Sequence, residues 1–266
     1  MIPIADSPSR GIRPWVNYTL IALNLVAFIW LLTLSTGFTG TFRSAQQDAR
    51  DQAAGACYTL LTPPTERNGA YCDFGFQPRE FFDVVSGDNL LVASPNRLLI
   101  VFSILTALFI HGGWLHIAGN MIFLWVFGDN VEDRLGHRTY FVFYLAAGVV
   151  AALVQGAVEP NSVIPVVGAS GSVAGVLGAY LLFYPKATVY VVIPFFLLIF
   201  IPIPLPAVVM IGFWFLQNLL AGVASLGDAA NPDTGVAWFA HLGGFAFGLL
   251  SALAFRNRRR PVPART

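Results

Sequence analysis

Three short stretches hold the residues that could do chemistry. They are "HGGWLHIAGN" with His111, His116 and Asn120, "VVGASGSVAGVLG" with Ser170 and Ser172, and "AHLGGFAFG" with His241. A serine hydroxyl is a weak nucleophile until a base takes its proton, and a neutral imidazole suits that task. Ser170 and His241 together would therefore serve acyl transfer. The intermediate of that reaction carries a negative oxygen that needs fixed hydrogen-bond donors. Backbone N–H groups of a helix beginning at Ser170 point the right way, aided by the helix dipole. His116 and Asn120, at i and i+4, share one helix face and add side-chain donors. No Asp or Glu lies within these stretches to complete a triad, so the sequence suggests a dyad whose imidazole is oriented by packing. "GASGS" is not the G-x-S-x-G elbow of soluble hydrolases, because position 172 is serine.

The elements that must position these residues are apolar helices. The chain has 266 residues, 56% hydrophobic and 11% charged, too apolar for a soluble globular domain. A bilayer core of roughly 30 Å needs about 20 apolar residues in a helix, and several runs qualify. Six spans are expected: Trp15–Leu34, Leu115–Gly128, Tyr140–Val158, Ser170–Tyr184, a helix near Ala207–Ala221, and Val236–Phe255. The first is read as a retained span, since no small-residue cleavage site closes it. Leu98–Ile110 and the Pro-punctuated Val189–Ile203 are read as interfacial or re-entrant pieces. The expected organisation is a cytoplasmic segment 1–13, a six-span body 14–255 with a long extracytoplasmic loop 36–97, and a basic cytoplasmic tail 256–266. With both termini inside, ten of the fifteen Lys and Arg fall on the cytoplasmic side and five in the long loop. The short outer loops near 159–169 and 222–235 hold none. The long loop contains both cysteines, Cys57 and Cys72, which could pair in an oxidising compartment and are otherwise two thiols.

Depth and packing bring the serine and the histidine together. The helix from Ser170 to Tyr184, stopped by Pro185, is roughly 22 Å long, about 8 Å short of a 30 Å core. Ser170 is thus expected below the outer surface, and His241, five residues beyond Val236, about 7–8 Å down from the same side. Ser170, Ala174 and Gly178 form a small-residue stripe, with Gly171 and Gly175 beside it. His241, Gly244 and Gly248 form another, and small-xxx-small faces let helix backbones approach closely. Polar groups at membrane depth are functional hypotheses by default.

In their order and spacing, "HGGWLHIAGNMIFLWVFGDNVEDRLG", "VVGASGSVAGVLGAY" and "WFAHLGGFAFGLL" resemble the rhomboid intramembrane serine proteases, and the first span is similar to bacterial members. The joint pattern H-x4-H-x3-N, G-x-S-G and A-H-x2-G-x3-G is specific, where G-x-S-G alone is weak. The resemblance implies a six-helix all-α membrane bundle and a Ser170–His241 dyad. It also implies an oxyanion hole from His116, Asn120 and the Ser170 backbone N–H, with Gly168, Gly171 and Gly244 in support. Glu132, in "VEDRLG", is implied as a structural anchor near the inner end of the second helix. Some relatives carry an aromatic residue four positions after the serine; here that position is Ala174, so what orients His241 is left open.

Other polar residues have plainer readings. Ser172 lies off the Ser170 face and is read as a packing residue. His111 is read as structural, and His137, beside Arg138, as a solvated residue of a cytoplasmic turn. Gly112 and Gly113 read as a tight lead-in to the second helix, and Trp15, Trp114 and Trp238 as interfacial aromatics. The four histidines have no matched ligand spacing, so neither a metal nor another cofactor is expected. "RNRRR" reads as a positive-inside anchor, and nucleic-acid binding is not suggested. The expected function is an intramembrane serine endopeptidase acting on single-span membrane proteins in contact with lipid. Its expected location is a bacterial inner membrane, with the site opening outward. A non-cleaving binder of the same family is disfavoured by retention of both Ser170 and His241. A transporter is disfavoured by the absence of a convincing internal repeat.

Overall fold

The computed structural model describes residues 1–7, 11–34, 66–87, 97–192, 202–227 and 236–256. Cys57, the end of the basic tail and most of the long loop lie outside them, as do 193–201 and the loop 228–235. The described chain is mostly helical and divides into two compact units. Unit 1 comprises Met1–Ala22, Ala118–Ala151 and Ser170–Thr266; unit 2 comprises Leu23–Ile117 and Ala152–Ala169.

The helices are α1 Trp15–Thr33, α2 Glu66–Phe74, α3 Pro78–Ser86, α4 Arg97–Thr106, α5 Trp114–Phe123, α6 Asp129–Leu135, α7 His137–Val158, α8 Ser170–Phe183, α9 Ala207–Gly227 and α10 Trp238–Phe255. Among the described residues, α1, α7, α9 and α10 are each long and apolar enough to cross a bilayer. A fifth candidate exists only if Leu98–Phe109 and Trp114–Leu135, separated by a break at 110–113, are taken as one span. α8 has 14 residues, roughly 21 Å at the helical rise and short of a 30 Å core. Large apolar side chains stay exposed on the long helices, including Val26, Ile29, Leu220 and Leu250. Such faces are expected of helices solvated by lipid tails. The chain is an integral membrane protein.

Three features depart from the sequence expectations. First, the described ends of Val189–Ile203, expected as an interfacial or re-entrant piece of an all-α chain, are extended. They lie in a three-stranded antiparallel sheet, ordered β1 Ile2–Asp6, β2 Thr188–Val192, β3 Ile203–Pro206. Pro3, Pro204 and Pro206 argue against strands in the sequence, but all sit on the two outer strands, where a missing N–H is tolerated.

Second, the helical path begun by α5 does not end at Gly128. It continues through a π-helical turn, Leu124–Gly128, into α6, and the acids of α6 are buried: Asp129, Glu132 and Asp133 are at most 2% exposed. Glu132 accepts from the N–H groups of Val16 (3.0 Å) and Asn17 (2.7 Å), which open α1. Asp133 accepts from those of Gly11 and Ile12, both at 2.9 Å. The first turn of a helix has donors without intrahelical partners and carries partial positive charge, so buried carboxylates fit there. The anchor role implied for Glu132 thus has a concrete form.

Third, His137 is not simply a solvated turn residue. Its Nδ1 hydrogen-bonds Glu132, and it opens α7. Asn17 extends this knot, donating to Leu124 O (2.9 Å), a carbonyl in the π turn, and accepting from the Tyr140 hydroxyl (2.8 Å). A β-carbon at Gly128 would lie 2.2 Å from Asn17 Oδ1, so only glycine leaves room for this side chain.

Unit 2 has its own small core of Leu31, Ala70 and Ile110. Phe76 and Val166 pair as an antiparallel bridge, and the Thr106 hydroxyl donates to Phe74 O at 2.7 Å. Cys72 is buried and is not a free thiol.

Candidate active site

The site in unit 1 rests on a helix pair with almost nothing between the two backbones. A β-carbon on Gly244 would stand 2.1 Å from Gly171 O, one on Gly248 1.9 Å from Gly175 O, and one on Gly178 2.2 Å from Phe245 O. No real β-carbon approaches that closely, so α8 and α10 can pack this way only with glycine at these positions. On another side, β-carbons at Gly171 and Gly175 would meet the Cβ atoms of Ala151 and Ala147 on α7 at 2.5 and 2.6 Å. α8 is therefore clasped by two helices, and Gly171 through Tyr180 are all buried.

This contact fixes the separation of two side chains near the helix starts. Ser170 is the first residue of α8 and His241 the fourth of α10. Ser170 Oγ lies 2.8 Å from His241 Nε2. The other ring nitrogen, Nδ1, lies 2.6 Å from Asn218 Oδ1 on α9. Trp214 and Trp238 flank the ring, with centroids 5.9 and 6.2 Å away. Ser170 and His241 are half-buried, and Asn218 is 5% exposed. A hydroxyl hydrogen-bonded to an imidazole, itself hydrogen-bonded to a third group, is the arrangement in which a base can activate a nucleophile.

Asn218 is the residue that the sequence reading missed, and the expectation of an imidazole oriented by packing alone is corrected by it. The available signal was a polar side chain inside the apolar run "FWFLQNLLAG", which is costly at membrane depth without a partner. An amide, and not a carboxylate, stands in the orienting place.

The residues expected to hold the negative oxygen divide between the units. Asn120 is in unit 1, on α5, and is 6% exposed. His116, one turn earlier on α5, is in unit 2, where its ring packs edge-on against His111, centroids 5.0 Å apart. Gly168, in the same unit, has φ 120°, and a β-carbon there would lie 2.6 Å from His116 Nε2. Conformation and space each demand glycine at 168. The Gly168 N–H donates to Ala107 O (2.9 Å) and the Ala169 N–H to His111 Nε2 (3.4 Å). His111 is fully buried, a structural placement. Ser172 is also fully buried, and its hydroxyl has no hydrogen-bond partner among the described residues. Among those residues, no group of three or more His, Cys, Asp or Glu is arranged to hold a metal.

Comparison with known proteins places the chain in a family. Residues 100–258 match the Rhomboid domain. Rhomboid-like protein 11, chloroplastic, of Arabidopsis thaliana is 40% identical over 74 residues, covering 28% of this chain and 26% of that protein. Rhomboid protease GluP of Bacillus subtilis is 37% identical over 78 residues, 29% of this chain and 15% of that one. Rhomboid protein 1, mitochondrial, of Saccharomyces cerevisiae is 30% identical over 159 residues, 56% of this chain and 40% of that one. The chain thus spans less than half the length of each of these relatives, which come from a bacterium, a plant and a fungus.

Proposed function

The chain belongs to the rhomboid family, and from that premise we propose that it is an intramembrane serine endopeptidase. Its substrates are single-span membrane proteins, cut within or beside the transmembrane segment. The observation that carries the reading is the 2.8 Å contact between Ser170 Oγ and His241 Nε2 on two glycine-locked helices.

His241 takes the Ser170 proton as the oxygen attacks the scissile carbonyl. The negative oxygen of the tetrahedral intermediate is held by donors of unit 1, the Ser170 backbone N–H and Asn120. His241 then protonates the leaving amine, and water, activated by the same imidazole, hydrolyses the acyl-enzyme. Apart from the hydrolytic water, the protein's own side chains and backbone supply the groups that act on the substrate in this scheme. Because attack needs an extended peptide, substrates with Gly, Ala, Ser or Pro near the scissile bond, which unwind readily, are preferred.

In the same reading six helices span the membrane, both termini are cytoplasmic, and the site opens outward in a bacterial inner membrane. The Lys and Arg distribution supports that orientation. The shortness of α8 supports access of water to Ser170 within the membrane's thickness.

The test is reconstitution in liposomes with a single-span reporter, wild type beside Ser170→Ala and His241→Ala, with product termini mapped by mass spectrometry. Cleavage inside or next to the reporter's span by wild type only is the expected result. Cleavage by Ser170→Ala at the wild-type rate would remove Ser170 from the mechanism.

A further inference from the structure

We propose that Asn218, on α9, is a positioning residue that sets the tautomer of His241, and that its own orientation is set by the backbone of α9. This inference rests on the reading of Ser170 and His241 as nucleophile and base, and adds a third helix to the machinery.

The series of hydrogen bonds begins at a carbonyl. Asn218 Nδ2 lies 2.8 Å from Trp214 O, one turn earlier on α9. A carbonyl oxygen only accepts, so the Asn218 atom facing it is the NH2 group. The amide therefore presents Oδ1, and not Nδ2, to His241 Nδ1, 2.6 Å away. Oδ1 also only accepts, so Nδ1 carries the hydrogen. A neutral imidazole has a single N–H, which leaves Nε2 with a lone pair aimed at the Ser170 hydroxyl 2.8 Å away. Every hydrogen bond in the series Trp214 O, Asn218, His241, Ser170 has one allowed direction, and that direction makes Nε2 the basic nitrogen.

Ring contacts do not achieve this. Trp214 and Trp238 restrict where the imidazole plane sits, but an aromatic wall presents the same surface to either tautomer. Water is a poor substitute, because Asn218 is 5% exposed. A neutral amide also fits its setting. It accepts from Nδ1–H both before and after Nε2 takes the serine proton, without the desolvation cost of a permanent carboxylate in an apolar helix. The consequence is that α9, which holds neither proposed catalytic residue, must keep its position against α10 for the base to be armed.

The experiment compares wild type, Asn218→Leu and Asn218→Asp in lipid nanodiscs. kcat and KM are measured against pH, and the 15N shifts of His241 are assigned by difference with His241→Gln. Wild type should show His241 protonated at Nδ1. Asn218→Leu should show a mixture with the Nε2–H tautomer. Its kcat should fall about 10- to 100-fold, no more than the lower end of the roughly 10²–10⁴ that general acid–base catalysis contributes, since the base is mispositioned and not removed. Its KM should stay within about 2-fold, since binding is untouched. Asn218→Asp keeps an acceptor for Nδ1–H and should stay within about 10-fold of wild type at its optimum. Its acid limb should move to higher pH, because an adjacent carboxylate favours the imidazolium. A merely structural role would not move that limb.

An Asn218→Leu protein with wild-type kcat and a pure Nδ1–H tautomer overturns the proposal, as does an Asn218→Asp pH profile that coincides with wild type. Should the leucine variant fail to fold, the aspartate profile decides. Failure of the protease reading has its own signature: wild type then neither cleaves nor reacts with a fluorophosphonate, while the 15N shifts still decide the role of Asn218.

Discussion

Two clusters of polar groups among the described residues of unit 1 are built differently. Around Glu132 the hydrogen bonds branch, and both carboxylate oxygens are used. The carboxylate accepts from two backbone N–H groups and from His137, and Asn17 both donates to Leu124 O and accepts from Tyr140. Around Ser170 the hydrogen bonds run from Asn218 through His241 to the serine hydroxyl, and the helices carrying the two ends of the Ser170–His241 pair are held by glycine contacts. A carboxylate whose two oxygens both accept backbone and side-chain N–H groups is committed to holding the fold. A site whose geometry is enforced by backbone packing can leave a lone pair for chemistry. The difference teaches where rigidity comes from at each place, and it predicts that the two will fail differently.

The largest effect is expected at the glycine contact. Gly248→Val drives a side chain into Gly175 O and should abolish cleavage. It should also lower stability by at least the upper part of the roughly 1–3 kcal/mol typical of overpacking, read as the midpoint of thermal unfolding in detergent. Retained activity would show that the helix pair tolerates separation. Glu132→Ala should come next in stability, at about 3 kcal/mol, since it orphans donors that bonded a charged acceptor. Yet kcat per folded, active-site-titrated molecule should be unchanged. A fall in kcat as large as that of Gly248→Val would erase the distinction between the two places. Asn17→Ala should cost roughly 1–3 kcal/mol, since it strips Leu124 O and the Tyr140 hydroxyl of a partner. The smallest effect belongs to Ser172→Ala. It removes a buried hydroxyl with no hydrogen-bond partner among the described residues, so stability should change by no more than about 0.5 kcal/mol, in either direction, with cleavage unaltered.

The sequence made the glycine-held place more legible than the hydrogen-bonded one. Small residues repeated at helical spacing announce a close contact, and a serine and a histidine at the ends of two such stripes announce that they meet. Hydrogen bonds between residues distant in sequence leave no such trace. The resemblance marks Glu132 as an anchor, but the residues of "GDNVEDRLG" do not name its partners, and a charged run taken alone suggests a solvated turn. The partners that reverse this reading are backbone N–H groups of residues 11–17, which a side-chain reading does not count. The sheet was hidden by prolines that only its order makes harmless. Asn218 was hidden differently: it was visible as a polar residue in an apolar helix, but its partner lies 23 residues away on another helix, and an amide stands where a carboxylate is usual.

In the proposed mechanism Ser170, and not its neighbour two residues on, is the group that attacks. It is tested most directly by treating the reconstituted protein with a fluorophosphonate and mapping the adduct by mass spectrometry. A single adduct on Ser170 is expected, present in Ser172→Ala and lost in both Ser170→Ala and His241→Ala. An adduct on Ser172, or labelling that survives Ser170→Ala, would contradict it.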